Sequence, residues 1–399
     1  MHLKIAPKPR RHVLSPTAWV DCVGLSRNLS NMTKPDQKLP SPDGSLIAEP
    51  TPAEVRNGLS YPFSSHPAQG EAIEISPGVK WVRMPLPFSL DHINLYLLDD
   101  GDGWVIIDTG LKGKTTRNLW ETIFSTQLDG RPVTRVICTH YHPDHIGLAG
   151  WLTERWQCPL WMTRTEFLYG RMLTLDKREE ASVEQQAFYQ AAGYDETAMD
   201  HYRAQAKFGF WNVVDPMPVG YHRMQNGDQI KIGDDHWEVV VGRGHAPEHA
   251  CLWSASKKLM LSGDQVLPRI SSNISVYPTE PESNPLEDWI ESCRNIAIQV
   301  PGNVLVLPAH NGPFHGLHTR LAQLREHHEL ALTRLAGLLV DPKRAVDCYS
   351  VLFRRPIGDN NRGLATGETL AHLNCLLARG LITREMDDKG VNWYLVSNA

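Results

Sequence analysis

Short runs of alternating or clustered apolar residues predict the strands of a folded domain from about residue 73 onward. Residues 79–84 have the period of two that is typical of a half-buried strand. Residues 93–98 and 104–107 flank a turn made of Asp and Gly, which predicts a hairpin. Helical spacing of apolar residues covers 114–125 and 146–156. The pattern therefore predicts a domain that contains both helices and strands.

Four further apolar runs each stop abruptly at a polar residue that is able to bind a metal. Run 135–138 ends before the segment 139–145, run 237–241 before His245, run 259–261 before Asp264, and run 304–307 before His310. Each run reads as a short buried strand. Loops at strand ends present site residues from a rigid scaffold. We therefore expect these polar residues to belong to one site.

The segment 139–145 reads Thr-His-Tyr-His-Pro-Asp-His and carries the strongest chemical signal in the chain. Its residues His140, His142, Asp144 and His145 put three imidazoles and a carboxylate within six positions. Such side chains are rarely buried without partners. Histidine is the commonest metal ligand, and carboxylates often join it. The segment therefore predicts a metal site rather than a set of satisfied core histidines.

This signature and its three downstream partners, in this order, resemble the metallo-β-lactamase superfamily over roughly residues 75–320. The resemblance implies an α+β fold, a four-layer αβ/βα sandwich with a dinuclear metal site at one edge. By this resemblance His140, His142 and His245 bind one metal, Asp144, His145 and His310 bind the other, and Asp264 bridges both. Asp108, within Val-Ile-Ile-Asp-Thr-Gly, matches an acidic residue that braces the ligand loop.

Two regions depart from the superfamily rhythm. Residues 164–218 form an insertion with two predicted helices, 165–192 and 197–210, which are rich in aromatic residues and methionine. We predict a subdomain with its own small core or a dimer face, a lid over a partly apolar substrate pocket, or both. After a long predicted helix at 317–338, the pattern of two helices and a hairpin up to residue 399 resembles a winged helix.

Some proteins of the metallo-β-lactamase fold, including an animal mitochondrial endoribonuclease, carry such a C-terminal module. Residues 341–399 hold eight Lys and Arg against seven Asp and Glu. A nucleic-acid reader needs a clustered basic face. The charges therefore favour a packing or oligomerisation module, and a homo-oligomer is left open.

Composition and charge bear on partners and cellular location, and the pattern along the chain gives the predicted domains. The 399 residues, 41% of them hydrophobic, with a net charge of −5, favour neither nucleic acid nor membranes as partners. Seven scattered cysteines and no long apolar stretch predict a cytoplasmic protein without a membrane helix. We predict an N-terminal extension (1–72), a catalytic domain (73–316) and a linker helix with the winged-helix-like domain (317–399).

The ligand types suit two Zn²⁺ ions per subunit, although Fe or Mn can occupy the same geometry. The predicted reaction uses a metal-bridging hydroxide to attack a carbonyl or phosphoryl centre, and Asp144 positions this nucleophile. Arg269, Ser272 and Asn273 follow Asp264 closely and are candidates for holding an anionic or carbonyl-bearing substrate.

The resemblance also narrows the reaction class. Asp264 stands where the familiar lactam-cleaving members place Cys, and His142 stands where flavodiiron oxidoreductases place Glu, so neither activity is predicted. Hydrolysis of a thioester or ester of a small to medium organic substrate is favoured. A lactonase is the next alternative, followed by an endoribonuclease that acts through the winged-helix module. A complete ligand set argues against a non-catalytic binding protein.

Overall fold

A computed structural model describes residues 54–87, 90–206 and 208–397. The strands are β1 (Glu54–Arg56), β2 (Leu59–Tyr61), β3 (Ala72–Ser76), β4 (Val79–Pro85), β5 (His92–Asp99), β6 (Trp104–Ile107), β7 (Val133–Ile137), β8 (Leu160–Thr163), β9 (His222–Met224), β10 (Gln229–Ile232), β11 (Asp235–Gly242), β12 (His249–Ser254), β13 (Leu259–Gly263), β14 (Leu305–Pro308), β15 (Phe314–His315), β16 (Ile382–Met386) and β17 (Asn392–Val396).

The helices alternate with these strands in the first two thirds of the chain and dominate the last third. They are α1 (Lys114–Thr126), α2 (Pro143–Ile146), α3 (Ala149–Trp156), α4 (Arg164–Leu175), α5 (Val183–Ala191), α6 (Glu196–Gln205), α7 (Phe210–Val213), α8 (Pro285–Gln299), α9 (Leu317–Leu338), a 3-10 helix at Ala345–Cys348, α10 (Tyr349–Leu352) and α11 (Arg362–Ala378).

Two large sheets face each other in the described part of the chain. One has seven strands in the order β3-β4-β5-β6-β7-β8-β9, and the other has eight in the order β1-β2-β15-β14-β13-β12-β11-β10. A core cluster that includes Trp81, Tyr96, Val239, Leu252 and Leu307 joins residues of both sheets. Because side chains alternate between the faces of a strand, each sheet also presents an outer face that needs a cover.

Helices cover both outer faces. On the seven-stranded sheet, α1 buries Trp120 and Ile123 in a cluster with residues of β4 to β8. On the eight-stranded sheet, α8 buries Trp289 and Cys293 at helical spacing, in a cluster that also contains residues of α9 and α11. The order helix, sheet, sheet, helix confirms the predicted four-layer sandwich.

The structure differs from the predicted N-terminal extension (1–72) in the last part of that segment. Residues 54–61 belong to the predicted extension, yet they form β1 and β2, and β2 joins the eight-stranded sheet through Ser60 and His315. Leu59 and Tyr61 are buried in the core. The first 53 residues of the predicted extension lie outside the described residues.

The two helices predicted for the insertion were wrong in number and extent. The predicted helix 165–192 is divided into α4 and α5, because Ser182 caps a new helix: its hydroxyl accepts from the Gln185 amide while the Gln185 side chain accepts from the Ser182 amide. The predicted helix 197–210 ends at Gln205, and the short α7 follows.

The predicted helix 146–156 is divided too, into α2 and α3. The break lies at Gly147, where an added Cβ would come within 2.5 Å of backbone atoms of Gly110, Lys112 and Pro143. Only glycine leaves room for this close packing of the ligand loop against the loop after β6.

The C-terminal elements follow the predicted order, with a 3-10 helix, α10, α11 and the antiparallel hairpin β16–β17. The likeness to a winged helix remains a prediction. Residues 365–376 of α11 are buried around the helix, except for the half-buried Glu368. The insertion contacts this region directly: Gln190 donates to the Lys389 carbonyl, and Val346 donates its backbone N–H to the Ala192 carbonyl.

Candidate metal centre

All seven predicted ligands lie at the ends of strands that run toward the same edge of the sandwich. β7 of the first sheet leads into the loop 139–145, and α2 begins within this loop with Pro143 at its first position. In the second sheet, β11, β13 and β14 lead to His245, Asp264 and His310. All seven side chains are buried. The fold thus brings together the side chains at the four strand ends, as the sequence pattern predicts.

One group of ligand atoms consists of imidazole nitrogens alone. His140 Nε2 lies 2.9 Å from His142 Nδ1 and 3.2 Å from His245 Nε2. His142 Nδ1 lies 3.0 Å from His245 Nε2. These three nitrogens form a triangle that can hold one cation. The ligand atoms of the three residues all lie within 4.8 Å of one another. We call these residues the imidazole group.

A second group combines imidazole and carboxylate. His310 Nε2 lies 3.5 Å from Asp144 Oδ2, and His145 Nε2 lies 3.8 Å from the same oxygen. Asp144, His145 and His310 also satisfy the spacing expected of a metal group. We call these three residues the carboxylate group.

Asp264 lies between the two groups and offers one oxygen to each. Its Oδ1 is 3.3 Å from His310 Nε2 and 3.6 Å from His145 Nε2, whereas its Oδ2 is 3.5 Å from His245 Nε2. The carboxylate thus has the position that a ligand shared by two cations requires.

The residues present fit bound cations because their inward atoms have no hydrogen-bond partner among the described residues. Both oxygens of Asp144 and of Asp264 are buried without a hydrogen bond, as are Nε2 of His145 and Nε2 of His310. Each such orphan would cost about 1–3 kcal/mol. Cations that accept these lone pairs remove the cost, and the donor set of imidazole and carboxylate suits a divalent transition metal.

Asp108 holds one ligand and the start of the ligand loop. Its Oδ2 accepts from His145 Nδ1 at 2.8 Å, which leaves Nε2 of that ring for a metal, and its Oδ1 accepts from the Thr139 amide at 2.8 Å. Asp108 has a φ of 59°. A non-glycine residue in this region is uncommon and points to a functional constraint.

Two more ligands are oriented by backbone carbonyls. His245 Nδ1 donates to the Asn273 carbonyl at 2.7 Å, and His310 Nδ1 donates to the His92 carbonyl at 2.8 Å. In both rings this fixes Nε2 as the free nitrogen.

The two groups differ in electrostatics. Burial and the neighbouring imidazoles hold the pKa of His140 well below its usual value, and burial does the same for the pKa of His142. In the carboxylate group burial also acts to lower the pKa of His310, but Asp264 and Asp144 outweigh it and raise this pKa to about 9. Burial opposes ionisation of Asp264, yet His310 and His145 hold its pKa well below the usual range.

Two residues beyond the predicted ligands support the loops of the site. Glu166, at the start of α4, is fully buried and accepts from the backbone amides of Tyr141 and Glu248, so one carboxylate holds both loops that carry the imidazole group. Burial raises the pKa of Glu166 to about 8. His249 accepts from the Asp264 amide at 3.1 Å. A buried acid beside a helix start gives no pattern by which sequence could find it.

The three predicted substrate residues are placed unequally. Ser272 donates its hydroxyl to the Asp264 carbonyl, and the Asn273 side chain lies between Ser275 and Glu368. These two side chains are therefore occupied in supporting the loop. Arg269 is exposed and lies over the ring of Tyr61, with 5.2 Å from its Cζ to the ring centroid. A role of these three residues in binding substrate remains a prediction.

Aromatic side chains of the insertion pack against Tyr141 of the ligand loop, beside the imidazole group. The Tyr141 ring lies 4.6 Å from the His142 ring and 4.9 Å from the Tyr169 ring of α4, centroid to centroid. Phe210 of α7 lies near Tyr141 as well, at 6.3 Å. Tyr169 also bonds through its hydroxyl to Thr279. Aromatic side chains of the insertion thus reach the ligand loop itself.

Residues 89–341 match the family model of the metallo-beta-lactamase superfamily, and residues 332–397 match a model described as the metallo-beta-lactamase-like C-terminal domain. The chain belongs to the metallo-beta-lactamase superfamily. This confirms the resemblance of the signature residues and establishes the chain as a metal-dependent hydrolase of that superfamily, whose members normally bind metal ions.

Relatives with solved structures share the fold at substantial identity. A beta-lactamase domain protein from Burkholderia ambifaria is 42% identical, with a TM-score of 0.79 over 85% of this chain and 98% of that one. A metallo-beta-lactamase family protein from Thermus thermophilus is 26% identical, with a TM-score of 0.68 over 81% of this chain and 100% of that one.

Two curated relatives are more distant. The probable metallo-hydrolase YqjP of Bacillus subtilis (strain 168) is 24% identical over 308 residues, which are 76% of this chain and 93% of that protein. The acyl-coenzyme A thioesterase MBLAC2 of Homo sapiens is 23% identical over 261 residues, which are 60% of this chain and 80% of that protein. Among the helices of the described residues, none combines the length and apolar character needed to cross a membrane.

Proposed function

We propose that the protein is a dinuclear, zinc-dependent hydrolase that cleaves a thioester or ester of a small to medium organic substrate. The observation that carries the proposal is the position of Asp264, whose two oxygens face the imidazole group and the carboxylate group separately. One carboxylate aimed at two sets of ligands is hard to explain with a single cation. Fe or Mn would fit the same donors.

His140, His142 and His245 would hold one ion, Asp144, His145 and His310 the other, and Asp264 would bridge them. Ions bound there would lower the pKa of a water held between them and so supply a hydroxide nucleophile at neutral pH. Asp144 would accept a hydrogen bond from that nucleophile and keep it aligned. Asp108 would keep His145 in the tautomer whose Nε2 faces the metal.

The surroundings of the site support an organic substrate with an apolar part. The Tyr141 ring lies beside His142 and packs against Tyr169 and Phe210, so the ligand loop borders an apolar cluster. The relative MBLAC2 is an acyl-coenzyme A thioesterase, which supports thioesters as the first class to test. Lactones come next, since the same nucleophile attacks a cyclic ester.

Burial of α11 disfavours the endoribonuclease alternative. A recognition helix must present one face to a groove or a phosphate backbone. Nearly all of residues 365–376 in α11 are buried, and the module has nearly balanced charges. We accordingly propose a small-molecule substrate. The six cysteines of the described residues are all free thiols. A cytoplasmic location and assembly into a homo-oligomer remain predictions.

The test is turnover of a panel of acyl thioesters by the zinc-loaded protein, followed by thiol release. We expect metal-dependent release with some members of the panel. His142→Ala should abolish it and reduce bound zinc, whereas the exposed His236→Ala should change neither, because His236 lies on the surface of β11. Release that His142→Ala leaves intact would refute the ligand assignment. Turnover of lactones alone would exchange the substrate class and keep the metal site.

A further inference from the structure

The loop that carries Asp264 is long and irregular, yet it is buried. Residues 264–284 connect β13 to α8 without a helix or strand of their own, and most positions from 264 to 276 are buried. Irregular loops of more than about 12–15 residues are uncommon in compact domains and are usually functional. Buried backbone groups need partners. We call residues 264–284 the Asp264 loop.

Helix α11 of the C-terminal domain supplies partners along the loop. The Val276 amide donates to the Gly367 carbonyl at 3.0 Å. Asn374 Nδ2 donates to the carbonyls of Pro281 and Ser283, at 3.0 and 2.9 Å. The approach is close at its centre, because a Cβ on Gly367 would lie 2.8 Å from the Ser275 side chain.

One contact from α11 leads to a predicted metal ligand. Glu368 Oε2 accepts from Asn273 Nδ2 at 3.1 Å, while Ser275 donates its hydroxyl to Asn273 Oδ1. Both ends of the Asn273 amide are thereby fixed. The backbone carbonyl of the same residue accepts from His245 Nδ1 at 2.7 Å. A chain of hydrogen bonds therefore runs from Glu368 through Asn273 to His245.

From this chain we infer that Glu368 is a positioning residue for the metal centre, and that the C-terminal domain completes the active site by shaping the Asp264 loop. Glu368 fixes the Asn273 side chain, the Asn273 backbone then sets the direction of the His245 ring, and His245 presents Nε2 to the imidazole group. The inference rests on the proposed role of His245 as a metal ligand.

Glu368 is half-buried, and its carboxylate is partly removed from water beside Asn273. Removal from water raises the pKa of Glu368 to about 7, and the hydrogen bond from Asn273 partly offsets the rise.

The experiment uses the full chain loaded with Co²⁺ and records its visible spectrum and the Co²⁺ dissociation constant, without any substrate. Glu368→Ala should weaken Co²⁺ binding by about tenfold, the lower end of the range seen for outer partners of metal ligands, and alter the spectrum. Glu368→Gln should restore both, because its amide oxygen still accepts from Asn273.

The control separates positioning from loss of stability. Leu373→Ala leaves a cavity in the buried part of α11 and removes none of the hydrogen bonds to the Asp264 loop, so it should lower the melting temperature while the Co²⁺ spectrum and affinity stay unchanged. Equal spectral changes in Leu373→Ala, or none in Glu368→Ala, would overturn the inference while the proposed function stands. No Co²⁺ binding by the unmodified protein would overturn both.

Discussion

The imidazole group and the carboxylate group are neighbours that share Asp264 but differ in charge. His140, His142 and His245 bring no negative charge of their own, and the pKa values of the first two are lowered well below the usual value. Asp144 adds a carboxylate to the other group, where the pKa of His310 is raised to about 9. The comparison teaches that one ligand loop can contribute side chains to two groups with different electrostatics within a few ångströms.

The two groups also differ in what holds their rings. In the imidazole group, His245 donates to a neutral backbone carbonyl. In the carboxylate group, His145 donates to the ionisable side chain of Asp108. An anionic partner raises the basicity of the ligand and strengthens its bond to the metal. We therefore expect the carboxylate group to depend more on its supporting residue.

The largest expected effect comes from the ligand that the two groups share. Asp264→Ala should remove both ions and lower hydrolysis at least about 1,000-fold, because metal chemistry contributes several kcal/mol to the transition state. Metal content by atomic absorption and thiol release are the measurements. The exposed Asp102→Ala, in the turn before β6, is the matched control. Retention of one full equivalent of metal by Asp264→Ala would show that the carboxylate serves one group only.

A smaller effect should follow from the support of the carboxylate group. Asp108→Asn keeps the shape of the side chain but replaces an acceptor of the His145 bond with a donor or a weaker acceptor. We expect the affinity of the carboxylate group for Zn²⁺ to fall about 10–100-fold. Competition with a chromophoric chelator measures each binding step, with Asp102→Asn as the control. Equal weakening of both steps would contradict the difference between the groups.

The smallest effect concerns protons. At pH 7 a His310 whose pKa is about 9 carries a proton that the metal must displace, whereas His140 and His142 carry none. The pKa of His145 in the same group is also raised well above its usual value, because Asp108, Asp144 and Asp264 outweigh burial. Binding to the carboxylate group should therefore release up to about two protons, and its affinity should rise with pH up to about 9. Titration calorimetry in buffers of different ionisation enthalpy measures the release. Equal proton release in the two binding steps would contradict the difference in protonation between the two groups.

The strand ends and the signature segment could be predicted because each depends on local pattern. An apolar run that stops at His or Asp is visible in the sequence, and the metal-binding chemistry follows from residue type. This held for the loop after β7 and for His245, Asp264 and His310, whose side chains the fold brings together.

The supports of the site could not be predicted, since they come from distant parts of the chain. Glu166 and Glu368 are single acidic residues in helical sequence, and only tertiary packing brings them to Tyr141 and Asn273. The helix predicted for 165–192 is divided by the cap at Ser182, which is hard to recognise in a segment that is polar and charged on both sides. Ser272 and Asn273 lie near the site as predicted, but their polar atoms bond to the protein itself.

The β1–β2 hairpin has a consequence for anyone who shortens this protein for expression. Its composition resembles that of a dispensable tail, yet it covers β15 at one border of the eight-stranded sheet and inserts Leu59 and Tyr61 beside Phe314. Removal up to residue 61 would uncover strand edges and apolar side chains, which favours edge-to-edge aggregation. An expressed chain that keeps β1 and β2, from Glu54 onward, would retain this cover on β15.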